Sequence, residues 1–301
     1  MKKLVICIDG VWGAPLPPSQ HSAMARLARG ILPSDAEGQA QVVLLLQPEG
    51  ALDQAAIDRD LLQCYRFVAQ NYEAGDQLFL YGFSYGAYLV RRFAAMLDVC
   101  GVMQRLHLDK SEEALRLFYQ PRLREEDMES RQFRAHYALT DECRVRLLAA
   151  VDTVGQHGVP ARSLSSVREW GLFQDCHLPK CVDRAVQALA LDEVRGDFVP
   201  CLWSSKVETE QLWFSGNHDD LGGVGLLPGN LADSALHCLA TLSEQQGLEL
   251  DAALYAQLNE EDSESVMPLV DGFADYFGCE PREVVEGTAL HASVSRRRRV
   301  R

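Results

Sequence analysis

The chain has 301 residues, 47% hydrophobic and 24% charged, enough for a sizeable core in one large α/β domain or two smaller ones. Its net charge of −14 argues against general nucleic-acid binding, and no apolar run approaches the length of a membrane-crossing helix. The apolar run 4–8 stops at Asp9, too short for a secretory signal. Synthesis and folding in the cytoplasm are expected, with export by a machine that needs no cleaved signal left open.

Residues 4–8 read as a near-continuous apolar strand of the kind found inside a parallel sheet, ending at Asp9-Gly10-Val11-Trp12-Gly13. Pro15, Pro17 and Pro18 make a loop, 22–31 a helix and 42–46 a second buried strand. Residues 53–72 are an amphipathic helix with Ile57, Leu61, Tyr65 and Val68 along one stripe. Leu78-Phe79-Leu80-Tyr81 is a strand that breaks at Gly82-Phe83-Ser84-Tyr85-Gly86. The chain resumes as a helix with Val90, Phe93, Ala94 and Leu97 on one face. Residues 109–137 are charge-dense and mostly helical, either a cap over one face or a solvated helix pair. Residues 145–151 form the next strand and run into Asp152-Thr153-Val154-Gly155, with loop and short helices over 156–180. Residues 182–192 read as helix, 211–214 as a strand ending in Gly216-Asn217-His218-Asp219-Asp220-Leu221-Gly222-Gly223, and 231–242 as helix. The remainder is polar and mostly helical. The alternation predicts an α/β fold with a mostly parallel sheet covered on both faces, read as a single domain over 1–295.

Nine cysteines, at 7, 64, 100, 143, 176, 181, 201, 238 and 279, are odd in number and scattered, as expected of reduced thiols rather than a disulfide framework. Cys176, His177 and Cys181 lack the second pair that a zinc site needs, so no metal or cofactor is expected. The tail 296–301 holds five arginines, Arg296, Arg297, Arg298, Arg299 and Arg301. It reads either as a solvated end or as a weak contact for anionic lipid headgroups, at roughly 1 kcal/mol per basic residue near such a surface.

The chemistry is expected where strands of an open α/β sheet end. The elbow pattern G-x-S-x-G, set between a strand and a helix, puts Ser84 on a tight turn flanked by glycines. Asp152 and His218 each end a later strand, which supplies the chain order Ser, Asp, His of α/β-hydrolases. Asp192, Asp219 and Asp220 are the alternative acids. The Tyr85 backbone N–H, with Gly10 or Val11 from the first strand's turn, would hold an oxyanion, although a plain tight turn would use Gly10 equally well. Two other classes compete: a metal-dependent hydrolase using Asp9, Asp152, His218 and Asp220, and a non-catalytic hydrolase fold kept for binding. An aspartyl-nucleophile phosphatase would want an acid where Cys7 stands.

Five motifs in order resemble an α/β-hydrolase family, formerly of unknown function, that includes the catalytic domain of type VI secretion lipase (phospholipase) effectors. D-G-T-W is similar to Asp9-Gly10-Val11-Trp12, G-F-S-R-G-A to Gly82–Ala87, and W-D-T-V-G to Val151–Gly155. The element D-E-x-R-x-x-F-x-P matches Asp192, Glu193, Arg195, Phe198 and Pro200, and W-F-x-G-x-H-x-D-V-G-G is similar to Trp213–Gly223. The resemblance implies a serine hydrolase of carboxylic esters, with lipid esters the leading substrate class. Val11 stands for the pattern's threonine and Tyr85 for its arginine.

Overall fold

The computed structural model describes residues 1–10, 21–48, 53–121, 123–140, 143–154, 177–196, 198–204, 209–223, 231–258 and 281–295. Val11, Cys176, Cys279 and the arginine tail therefore lie outside the described residues. Among the described residues the main sheet is built from β1 (Lys3–Ile8), β2 (Gln41–Leu46), β3 (Gln77–Phe83), β6 (Val145–Val151), β7 (Ala185–Ala190), β8 (Thr209–Phe214) and β9 (Ala289–Leu290). Their order is β2-β1-β3-β6-β7-β8-β9, with every neighbouring pair parallel. The strand order turns around between β1 and β3, so their carboxyl ends border the crevice where such sheets place ligands.

The period-2 alternation of β1 divides the core. Leu4, Ile6 and Ile8 face one apolar cluster with α2 (Gln54–Asn71) and α3 (Tyr85–Cys100). Val5 and Cys7 face the other, with α1 (Ala23–Gly30) and α7 (Leu231–Gln245). Side-chain caps start α1 and α2: Ser22 Oγ accepts from Ala25 N–H at 3.1 Å and Asp53 Oδ1 from Ala56 N–H at 2.8 Å. The segment 109–137 contributes α4 (Ser111–Phe118) and α5 (Met128–Tyr137). Helix α4 packs on α2 and α3, and α5 packs on α3. A short antiparallel pair, β4 (Val102–Met103) with β5 (Ala138–Thr140), ties the two ends of this insert. No helix among the described residues is long and apolar enough to cross a membrane. All seven described cysteines are free thiols.

Three elements differ from the sequence reading. Residues 182–192 are not helical: Ala185–Ala190 is β7, buried along its whole length between β6 and β8. Alanine and leucine favour helix locally, but pairing on both edges and burial on both faces override that preference. Residues 42–46 are a strand, but an edge strand whose middle is only half-buried. The polar end of the chain supplies β9, a further edge strand, where mostly helix was expected.

Buried Gln187 in β7 would be costly without partners. Its Oε1 accepts from Thr153 Oγ1 at 2.7 Å, while its Nε2 donates to Cys201 O at 3.0 Å and Gln211 Oε1 at 3.2 Å. This polar rung links the segment just after β6 to β7 and β8.

Candidate active site

Ser84 has φ 54° and ψ −114°, a conformation that costs a non-glycine residue about 1–3 kcal/mol. The turn closes only because its flanks carry no side chains. A Cβ on Gly82 would lie 2.2 Å from Gly86 O, and one on Gly86 would lie 2.0 Å from Ile8 O. Both obstacles are backbone and cannot rotate away. Gly86→Ala is therefore expected to cost about 3 kcal/mol or more, the upper end for overpacked cores. A thermal melt checks this, since the fall in melting temperature should be roughly 5–10 °C for a chain of this size.

Two further strand ends deliver the other groups. Asp152 follows β6 at φ 45°, a left-handed position that aspartate tolerates better than most residues. His218 opens the short helix α6 (His218–Leu221) after β8. The helix is capped reciprocally, with Asn217 Oδ1 accepting from Asp220 N–H and Asp220 Oδ2 accepting from Asn217 N–H, both at 2.9 Å. His218 Nε2 lies 2.9 Å from Ser84 Oγ, and its Nδ1 lies 2.7 Å from Asp152 Oδ2. All three side chains are buried.

The Asp152 carboxylate is the most heavily compensated group of the site. Burial opposes its charge, but the Arg282 guanidinium and the His218 hydrogen bond outweigh that and hold it well below the usual carboxylate range. Arg282 donates from Nη1 to Oδ1 at 2.7 Å and from Nη2 to Oδ2 at 3.0 Å, and Ala190 N–H donates to Oδ1 at 3.0 Å. An ionised carboxylate only accepts hydrogen bonds, so Nδ1 of the neutral His218 ring must carry the proton and Nε2 presents its lone pair to the Ser84 hydroxyl.

The imidazole is also held by its surroundings. Its ring centroid is 4.7 Å from that of Phe83 and 5.0 Å, edge-on, from that of Phe198. Its backbone N–H donates to Glu193 Oε2 at 3.1 Å. Buried Glu193 accepts in turn from Arg195, whose charge outweighs desolvation and keeps the carboxyl low, and the Arg195 guanidinium sits 3.8 Å over the Phe198 ring. Glu193, Arg195 and Phe198 were visible as a motif, but their part in holding the imidazole was not. Arg282 carried no signal. It lies in a polar stretch 130 residues beyond the acid that it touches.

The alternative acids do other work. Asp192 Oδ2 accepts Gly216 N–H at 2.7 Å, Asp219 lies 3.3 Å from Arg195, and Asp220 caps its own helix. None of them is the acid on His218. Asp9 accepts from Ser22 Oγ and from the N–H of its neighbour Gly10. Among the described residues no group of three His, Cys, Asp or Glu is placed to hold a metal ion.

Of the expected oxyanion donors, Tyr85 N–H opens α3, where backbone N–H groups have no intrahelical acceptor. Gly10 packs against Ser84, since a Cβ there would lie 2.7 Å from the Phe83 ring and 3.4 Å from Ser84 Cβ. Its N–H, however, donates to Asp9 Oδ1 at 2.9 Å. The Tyr85 phenol turns away from the site to Asp60 Oδ2 at 3.1 Å.

A parallel sheet wound in this order, with a strained serine between β3 and α3, defines an α/β-hydrolase-like fold. A family model described as "T6SS, Phospholipase effector Tle1-like, catalytic domain" matches residues 2–241, and the chain belongs to that family. This is the family that the five sequence motifs resemble. Solved structures similar to the chain include an uncharacterized protein from Pseudomonas aeruginosa, 14% identical, covering 86% of this chain and 48% of that one with a TM-score of 0.49. Another is the Tle1 effector bound to the VgrG spike from the type 6 secretion system, 18% identical, covering 73% of this chain and 50% of that one with a TM-score of 0.42. The chain thus spans about half the length of each. No curated protein matches it.

Proposed function

We propose that this protein is a serine hydrolase of carboxylic esters, with phospholipid acyl esters as its substrate class. The observation that carries the reading is the unbroken hydrogen-bonded run from Ser84 Oγ through His218 to Asp152, at 2.9 and 2.7 Å. Membership of a phospholipase effector family supports the lipid substrate.

In this mechanism His218 Nε2 takes the hydroxyl proton as Ser84 Oγ bonds to the ester carbonyl carbon. The negative charge that develops on the carbonyl oxygen falls at the start of α3, against Tyr85 N–H. The second donor is Gly10 N–H, which must leave Asp9 to serve. The carbon–oxygen bond to the alcohol breaks, and the alcohol leaves with the proton from His218. Water then repeats the sequence on the acyl-enzyme, releasing the carboxylic acid and restoring Ser84. Asp152 stays ionised throughout, fixing the tautomer and stabilising the imidazolium.

A fluorophosphonate probe tests the reading, because it labels only an activated serine. Labelling is expected at Ser84, together with chelator-insensitive turnover of phospholipids and short acyl esters. Unlabelled protein would favour a binding role, and loss of turnover in chelator a metal-dependent one.

A further inference from the structure

A second cleft, of about 610 Å³, opens along α3 away from the nucleophile, between α4 and the segments around 123 and 178. That volume is within the usual range for small-molecule sites, about 300–1,000 Å³. Its walls include Ala95, Val99, Phe118, Leu123 and Leu178, and Arg92 lines it. Arg92 is only 8% exposed. Its Nε has no hydrogen-bond partner, and among the described residues its guanidinium makes no hydrogen bond or ion pair. It rests over the rings of Phe118, at 4.4 Å, and Tyr119, at 5.8 Å, which soften its desolvation but supply no counter-charge.

Several of the neighbouring charges are already engaged. Lys180 pairs with Glu125 and, at 3.1 Å, with Glu126, while Asp98 accepts Lys180 N–H at 2.7 Å and Cys181 N–H at 2.8 Å. Arg92 is thus a nearly buried cation facing a mostly apolar hollow, with its Nε–H unsatisfied. Burying a charge this way is costly unless something pairs with it.

We propose that this cleft binds an amphipathic carboxylate, a fatty-acid anion whose head pairs with Arg92 and whose chain lies along the apolar wall. The planar guanidinium suits a carboxylate in two-pronged geometry, and the lining selects an anion that carries a chain. Arg92 lies eight residues past Ser84, about 12 Å along the helix axis, so this is a site apart from the reacting serine. Only the identification of the anion as the acid released by ester hydrolysis rests on the function proposed above.

The test is calorimetric titration of the full chain with dodecanoate below its micelle concentration, beside Arg92→Met and Ala95→Phe, the latter filling the cleft while keeping the charge. Saturable binding is expected in the wild type, weakened about tenfold or more in either variant. Acetate and inorganic phosphate, anions without a chain, and dodecanol, a chain without charge, should each bind at least about tenfold more weakly than dodecanoate. Equal affinity in wild type and Arg92→Met, or phosphate binding as tightly as dodecanoate, would overturn the proposal. Arg92→Met should melt no lower than wild type without ligand, because an unpaired buried charge is removed. A melting point several degrees lower would show that Arg92 already has its charge partner, and would overturn it too. Dodecanoate binding with Ser84 unreactive to fluorophosphonate leaves the cleft standing and removes the hydrolase; a labelled Ser84 with no dodecanoate binding does the reverse.

Discussion

Ser84→Ala is expected to fold like the wild type and to lose nearly all turnover, by roughly 10⁴–10⁶-fold in kcat, the scale at which a serine hydrolase loses its nucleophile. Alanine occupies the same strained backbone position, with φ 54°, at no greater cost than serine, and it removes only the oxygen that His218 Nε2 faces at 2.9 Å. The melting temperature should therefore change little while hydrolysis of acyl esters disappears. His218→Ala should cost about as much, and the double variant little more, because the groups act as one unit. Turnover of short acyl esters and of phospholipid vesicles by the three variants checks this. An active Ser84→Ala would sink the mechanism.

Removal of Arg282 is the other change with a large expected effect, and it acts on stability first. Arg282→Ala leaves Asp152 buried with its desolvation unchanged and its principal counter-charge gone. Breaking a buried pair from one side costs about 3–5 kcal/mol, and His218 as a surviving partner puts the expectation near 3 kcal/mol. The pH dependence has a definite sign. In the wild type the folded-state pKa of Asp152 is depressed, so its contribution is present above the unfolded carboxylate value and is lost as pH falls through the folded one. Without Arg282 that depression shrinks. The deficit of the variant is then largest near neutrality, where the carboxylate is charged in both proteins, and narrows as acid neutralises it. Denaturant unfolding at pH 7 and at about pH 3, below the ordinary carboxylate pKa, measures the difference, and equal stability of the two proteins at pH 7 would refute it. Arg282→Lys should recover only part of the loss. An ammonium keeps the charge but cannot reach Asp152, Ala190 O and Phe198 O together as the guanidinium does.

The parts of this site legible in the sequence were those with short-range signatures. A strand run into Gly82-Phe83-Ser84-Tyr85-Gly86 and out into a helix can be read locally, because strain, glycine and periodicity all lie within a few residues. Asp152 and His218 were found by the same logic, each following an apolar run that ends in polar or glycine-rich turn residues. Strand β7 was misread because its code is non-local. Ala-Val-Gln-Ala-Leu-Ala carries helix-forming residues and a glutamine that looks surface-bound, and only Thr153 and Gln211 on the flanking segments explain how that amide is buried. The edge position of β2 and the existence of β9 depend likewise on which partners come to lie alongside. Arg92 also escaped, for it sits within a helix whose apolar stripe was plain while the hollow beside it is made by distant segments.

The counter-ion of Asp152 is carried by a residue 41 positions past the stretch that matches the family model, next to the short strand that ends the sheet. During synthesis the first eight strands can emerge and pair while that cation is still unmade, so Asp152 must wait for a segment well downstream of them. Ribosomal order thereby schedules the site: the turn at Ser84 takes shape early, whereas the electrostatic setting of His218 is finished only when residues 281–290 dock. A shortened version cut at the family boundary would keep every residue that a motif search recognises and still lack the charge that keeps the acid ionised.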